Sequence, residues 1–381
     1  MQVTVPKESL SQCCFLASSI VQEKIAQQVL RNVLIRADKI GNSGILTVLA
    51  TDTDVSMLST IQAEVTEPGS IMLEAQKFYE IIKELPNFPI NLSVQSKSKL
   101  EILCGKSSFK INGAPGDEYP EISGIKLDHP HELERTTLIN MIDYCLFSAC
   151  TDETRFAISS LFLEIIEGPL GPNKPVLRAV ATDGNRLSML DRPVEHVFMD
   201  APILLPRKGL QDLKKALEDT KSETIKVSVQ NGFFTALIDG VTLGLRLKDG
   251  TYPDYKKVIP ANTSTKVIVD RQEFYSAVKR VSLVANDKAR ALKLQFKDSV
   301  LELSSASSEV GEASESVEVE QDGPDVTLGF SSKFLLDMLG VMSSCKTLTI
   351  RLDGDKVPGV FSGDNDDLYE NIIMPMRFEN A

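Results

Sequence analysis

Histidine is scarce in this chain. Three copies in 381 residues are too few to complete a zinc site with the six cysteines, none of which lies in a C-x-x-C pair. Two of the three flank Pro130 in DHPHE and offer no catalytic triad. Cys13, Cys14, Cys104, Cys145, Cys150 and Cys345 therefore read as reduced, mostly buried thiols. No G-x-G-x-x-G, G-x-S-x-G or H-E-x-x-H occurs. GKS at 105–107 lacks the glycine that a phosphate loop needs at position 100, where Leu100 stands. No metal or cofactor is expected. No apolar run approaches the roughly 20 residues of a membrane helix, and MQVTVPKESL lacks the basic-then-apolar pattern of a signal peptide. No membrane partner and a cytoplasmic location are expected. Basic charge is also short. Forty-one Lys and Arg face 53 Asp and Glu, leaving −12, which on its face argues against nucleic acid.

What the chain does have is internal repetition. VLATDTDVSMLST (48–60) matches VATDGNRLSML (180–190) at an offset of 131. EAQKFYEIIKEL (74–85) matches PRKGLQDLKKAL (206–217) at 132, and EYPEI (118–122) matches TYPDY (251–255) at 133. A third copy is fainter. SSKFLLDMLGVM (331–342) sets Phe334 124 residues after Leu210, and LELSSASSEVGEASESVEV (301–319) sits where the TD strands fall. LDHPH (127–131) and PANTST (260–265) have the composition of linkers. Three domains are expected, at 1–128, 129–262 and 263–381, each of ordinary size.

Each copy opens alike, with a short alternating strand and then a helix: VTVPKESLSQCCF, HELERTTLINMIDYC, KVIVDRQEFYSAVKRV. The second helix is amphipathic, with Phe78, Ile81, Ile82 and Leu85 in one copy and Leu210, Leu213 and Leu217 in the next. The alternating strands between short turns must pair antiparallel. The class is α+β, with two helices per repeat over antiparallel sheets.

Charge is unevenly placed. The six predicted helices (8–26, 74–87, 135–150, 206–217, 271–290 and 331–346) together carry +5, so with the chain at −12 everything else carries −17. Arg207, Gln211 and Lys214 share the face opposite the leucines of their helix. Such a surface binds phosphates without reading bases, and an acidic exterior keeps DNA from sticking elsewhere.

The repeat phases, with ATDGNRLSML (181–190), PRKG (206–209), DGTYPDYKKVIP (249–260) and MPMRF (374–378), closely resemble the bacterial sliding clamp, the beta subunit of DNA polymerase III, over essentially the whole chain. The resemblance implies a head-to-tail homodimer. Its three-domain arcs would close into a ring around duplex DNA, with sheets outside and helices lining the inside. It implies no catalysis. The implied partners are the replicative DNA polymerase, a clamp loader, repair polymerases, ligase and mismatch-repair proteins. These would share one groove between the second and third repeats. Carried over by motif, the groove is Ile158, Thr182, Gly184, Asn185, Arg186 and Leu187, then Pro253, Lys257 and Val258, then Ser331, Phe334 and Val357, closed by Met374, Pro375, Met376, Arg377 and Phe378. Soft methionines around a rigid proline suit a surface that accepts several extended peptides in turn.

The resemblance further implies DNA contacts at Lys24, Arg207 and Lys208, to which helix geometry adds Lys214. It implies a dimer seam at Phe109, Leu283 and Val284. The chain departs from the family at Asn185, where His is frequent, and at Lys256-Lys257, where the planar fork of arginine is lost. Ala289 replaces a pocket phenylalanine, and Glu379-Asn380-Ala381 extends past the usual end. Two rival readings are an enzyme built on Asp52 and Asp183, and a protein-binding repeat scaffold. Repeat-equivalent aspartates in separate domains lie far apart, and an Asp in a TD turn ordinarily caps the turn. A scaffold gives no reason for helices more basic than their strands.

Overall fold

The computed structural model describes residues 1–21, 27–41, 43–96, 98–168, 170–285 and 291–376. Within them run six α-helices: α1 Lys7–Ile20, α2 Ala75–Glu84, α3 Arg135–Cys145, α4 Arg207–Asp219, α5 Arg271–Val281 and α6 Ser332–Val341. Each follows a short strand: Gln2–Val5, Gly69–Glu74, His131–Glu134, Ile203–Pro206, Thr265–Asp270 and Val326–Ser331. The strand–helix pair thus occurs twice in each of three repeats, in the order the sequence predicts. Five of the helices are shorter than expected, while α4 runs two residues further, to Asp219. α3 ends at Cys145, and the chain goes on as a 3-10 turn, Leu146–Ser148.

The third repeat corrects one register. α4 and α6 begin 125 residues apart, so the fully buried Leu335, not Phe334, is the counterpart of Leu210. Phe334 is only half-buried. Adjacent apolar residues Phe334-Leu335 leave periodicity unable to say which one faces the core.

The chain divides into two compact units. One is Met1–Ile139 with Lys208–Leu247, the other Asn140–Arg207 with Lys248–Ala381. The first holds a 13-stranded antiparallel sheet that ends on the strand Ser107–Asn112. Within it, Val241–Arg246 pairs with Val55–Glu67, Leu243 opposite Met57 and Gly244 opposite Ser56. The second holds a 12-stranded sheet in which Asp366–Ile373 pairs with Arg186–Pro193, Ile372 opposite Leu187. In both units the strand after a TD turn therefore pairs with the last strand of the next repeat. Alternating apolar positions place Leu46, Val48, Phe78 and Phe234 in one core and Phe274, Phe296, Phe330 and Tyr369 in the other. Each such side chain contributes about 1.5–3 kcal/mol by leaving water.

A basic residue opens the first helix of every repeat and reaches the end of the second. Lys7 Nζ donates to the Lys83 carbonyl at 3.2 Å. Arg135 Nη1 donates to the Leu217 carbonyl at 3.0 Å, and Arg271 Nη1 and Nη2 donate to those of Leu339 and Ser343 at 3.4 Å. The last carbonyls of a helix lack intrahelical partners and carry partial negative charge, so a cation is stabilising there. The six cysteines are free and buried. Burial pushes the thiols of Cys13, Cys14, Cys145 and Cys345 up.

Candidate functional site: an apolar cleft beside a pinned arginine

The two TD turns share one hydrogen-bond pattern. Asp52 Oδ1 accepts from the amides of Asp54 and Val55 at 3.0 and 2.7 Å, and Asp183 Oδ1 from those of Asn185 and Arg186 at 2.9 and 3.2 Å. The hydroxyls of Thr51 and Thr182 donate to the carbonyls of Val55 and Arg186. The turn bends through positive φ at the same place in both, +82° at Thr53 and +97° at Gly184. Both aspartates thus hold a turn, as the sequence leads one to expect.

The turn at Asp183 presents Arg186, which is 8% exposed and held on every side. Its Nε meets Asp183 Oδ2 at 3.0 Å and its Nη1 meets Asp337 Oδ2 on α6 at 2.7 Å. Nη2 donates to the Phe147 carbonyl at 2.9 Å. The guanidinium also lies over the rings of Phe147 and Phe334, 5.3 and 4.5 Å from their centroids. A charge so enclosed is tolerable only because all three of its nitrogens are matched.

Beside it opens a cleft of about 160 Å³, lined by Ile158, Thr182, Gly184, Arg186, Leu187, Pro253, Val258 and Met374, all expected from the sequence, and by Arg155, Asp254, Tyr255 and Ile372. Met374 and Val258 are large apolar side chains left 38% and 41% exposed, the mark of a docking surface when grouped. The floor is rigid. Tyr255 donates to Glu164 and accepts from Arg178 at 3.2 Å, while Arg178 forks onto Asp191 with two 2.7 Å bonds. Tyr252 stacks on Phe162 at 4.7 Å. Burial pushes the Tyr255 phenol up to about 12.

The remaining groove candidates stand around the cleft. The Asn185 carbonyl accepts from the Met374 amide at 2.8 Å, and Met376 bonds the Gly329 carbonyl at 2.8 Å, fixing the Met374-Pro375-Met376 segment at both ends. Ser331 precedes α6 and is buried. Phe334 touches the site through Arg186. Val357 is half-buried in a bend, and Lys257 is exposed and paired with Asp254 at 3.1 Å. Arg377, Phe378, Ala289 and the Glu379-Asn380-Ala381 extension lie outside the described residues, as does Lys24. Of the lining residues that sequence reasoning missed, Ile372 was legible, since it sits two positions before Met374 on one strand face. Arg155 lies in an aperiodic turn and gave no signal.

Of the expected DNA-facing cations, the three among the described residues are engaged within the chain. Arg207 Nη1 donates to the carbonyls of Leu146 and Ala149 at 3.1 and 3.3 Å. Lys208 donates to the Ile20 carbonyl at 2.8 Å and pairs with Asp52. Lys214 meets Glu218 at 3.3 Å. Lys279 and Lys333 are exposed. Of the seam candidates, Phe109 is exposed on the end strand Ser107–Asn112, Leu283 is 77% exposed, and Val284 is partly covered in the turn after α5. No group of acids, histidines and cysteines among the described residues is placed to hold a metal.

Known proteins resemble this chain throughout its length. Residues 1–123, 132–254 and 256–377 match in turn the family models described as the N-terminal, central and C-terminal domains of the DNA polymerase III beta subunit. A Pseudomonas aeruginosa protein named "Beta sliding clamp" is 30% identical over 99% of this chain and 100% of its own length. The Bacillus subtilis protein of that name is 29% identical with the same coverage. The crystal structure of the DNA polymerase III subunit beta from Pseudomonas aeruginosa superposes with a TM-score of 0.90 at 27% identity, covering 99% of this chain and 100% of that one. The sliding clamp of Bartonella birtlesii, solved bound to griselimycin, gives 0.91 at 28%, again over 99% and 100%.

Proposed function

The chain belongs to the family of the DNA polymerase III beta subunit, and from that premise we propose that it works as a DNA sliding clamp and processivity factor. It encircles duplex DNA and tethers the replicative polymerase. It is not an enzyme. The cleft beside Arg186 is the tethering site. A short extended peptide buries its apolar anchors against Leu187, Val258, Ile372 and Met374, while the pinned arginine and the Tyr255 floor hold the walls in place. That cleft, apolar, partly exposed and backed by satisfied polar groups, is the observation that carries the reading.

The ring is a head-to-tail homodimer of chains divided at 1–128, 129–262 and 263–381. This reading is supported by the free edge and exposed Phe109 of Ser107–Asn112 and by the exposure of Leu283. An unpaired strand edge with apolar side chains is a template for another chain. Sequence-independent DNA contact comes from lysines and arginines of the helices and of residue 24. Clamp loader, repair polymerases, ligase and mismatch-repair proteins take turns at the cleft, and the work is cytoplasmic.

The test is topological. Protein loaded onto nicked circular DNA should co-elute with it and be lost when the DNA is linearised. Retention on linear DNA with free ends would replace encirclement with ordinary affinity. Light scattering should give a dimer near twice 41.9 kDa.

A further inference from the structure

The cleft has a counterpart in the first unit, one repeat earlier, and the chain itself fills it. The TD turns align at an offset of 131, and the two YP segments at 133. The pairing registers complete the correspondence. Gly244 sits opposite Ser56 as Ile372 sits opposite Leu187. The Arg246 amide bonds the Asp54 carbonyl at 2.8 Å, as the Met374 amide bonds that of Asn185. The wall formed by Leu187, Ile372 and Met374 thus becomes Ser56, Gly244 and Arg246.

What occupies the space is the segment that follows Pro120. A Cβ built on Gly244 would overlap the carbonyl of Gly124, and a Cβ on Gly124, at φ +76°, would overlap the Phe233 ring. Backbone lies directly on backbone. Thr235 Oγ1 donates to the Gly124 carbonyl at 2.9 Å, and Ser228 Oγ donates to that of Asp128 at 2.6 Å. Ile122 and Ile125 pack against Leu34, Leu49, Met72 and Tyr119. In the second unit the residue matching Gly124 is Lys257, exposed and turned to Asp254. Ile372 there has the bulk that Gly244 lacks, and the cleft stays open.

We infer that residues 121–126 act as a built-in occupant of a second, repeat-equivalent peptide groove in the first unit, and that the Gly124–Gly244 contact limits the chain to one open partner site. The latent site takes the same class of ligand, an extended peptide with apolar anchors. This rests on the tethering role of the open cleft, and the experiment separates the two.

Overlapping short peptides of the replicative polymerase are screened on the intact wild-type protein, and the tightest binder becomes the fluorescent probe. Its stoichiometry should be one per chain. No binding by any peptide would remove the tethering reading itself, and with it this one. In Gly244→Ile the added side chain cannot coexist with the Gly124 carbonyl. Tryptic cleavage after the exposed Lys126 should quicken at least tenfold as the segment is released, and a second, weaker site should raise stoichiometry towards two. Thr235→Val, which deletes only the hydroxyl that holds Gly124, should give the same acceleration to a smaller degree if Gly244→Ile does not fold. Unchanged cleavage in the folded variant, or quickened cleavage with stoichiometry still at one, overturns the inference.

Discussion

The guanidinium of Arg186 lies 4.5 Å from the ring centroid of Phe334, and this contact ties the TD turn of one repeat to the second helix of the next. Phe334 is free to make it because Leu335 takes the core position. The arginine's three nitrogens are meanwhile held by Asp183, Asp337 and the Phe147 carbonyl. Removing the arginine leaves the Asp183 carboxylate and the Phe147 carbonyl short of a donor, while Asp337, with its side chain 36% exposed, turns to water. Arg186→Ala should lower unfolding stability by about 1–3 kcal/mol and abolish peptide binding, measured by urea denaturation and fluorescence anisotropy. A variant of wild-type stability would mean that Asp183 too is satisfied by water.

Met374 tests the cleft without the fold. Its side chain is 38% exposed and its amide bond to Asn185 survives substitution. Met374→Ala should weaken the polymerase peptide by about 1–2 kcal/mol, roughly five- to thirtyfold in Kd. The midpoint of urea unfolding should hardly move. Unchanged affinity would take the cleft out of the tethering site.

Lys208 separates structural from electrostatic use of a cation. It bonds the Ile20 carbonyl and pairs with Asp52, so Lys208→Ala should cost about 1–3 kcal/mol of stability. The salt dependence of DNA binding should change little, because the charge is already matched inside the chain. A fall of about one in the salt slope with stability intact would instead make Lys208 a phosphate contact.

The tyrosines give a pH dependence. Burial raises the phenols of Tyr119, Tyr252, Tyr255 and Tyr369, Tyr255 to about 12 from an ordinary 10. Between those values the folded protein keeps a proton that the unfolded chain has released. The stabilisation is therefore complete below pH 10 and is lost as pH rises towards 12. Ultraviolet titration should show these phenols ionising only as the protein unfolds, and Tyr255→Phe should remove one from the late group. Full ionisation near pH 10 without loss of structure would contradict the buried hydroxyl network.

Much of the cleft is legible in the amino-acid order. Thr182, Gly184 and Arg186 fall in a motif repeated at Thr51, and a turn that bends through positive φ needs few residues to announce itself. The helix charges are legible only as a sum. Arg207, Lys208 and Arg271 count as +3 along the chain, yet Lys208 and Arg271 donate to helix-end carbonyls and Arg207 to those of the turn after α3. Composition cannot distinguish a cation facing solvent from one capping a helix, because both sit on amphipathic helices at similar spacings.

The sequence by itself determined the threefold strand-and-helix order, the antiparallel class and the motif residues of the cleft, because period, turn chemistry and repetition are local properties of a chain. Tertiary structure alone decided which repeat keeps its cleft open. Gly244 is an unremarked strand residue until pairing sets it opposite Ser56, at the position that Ile372 holds opposite Leu187. Only then does the missing side chain at Gly244 admit Gly124 and close one site, while the bulk of Ile372 leaves the other to a partner.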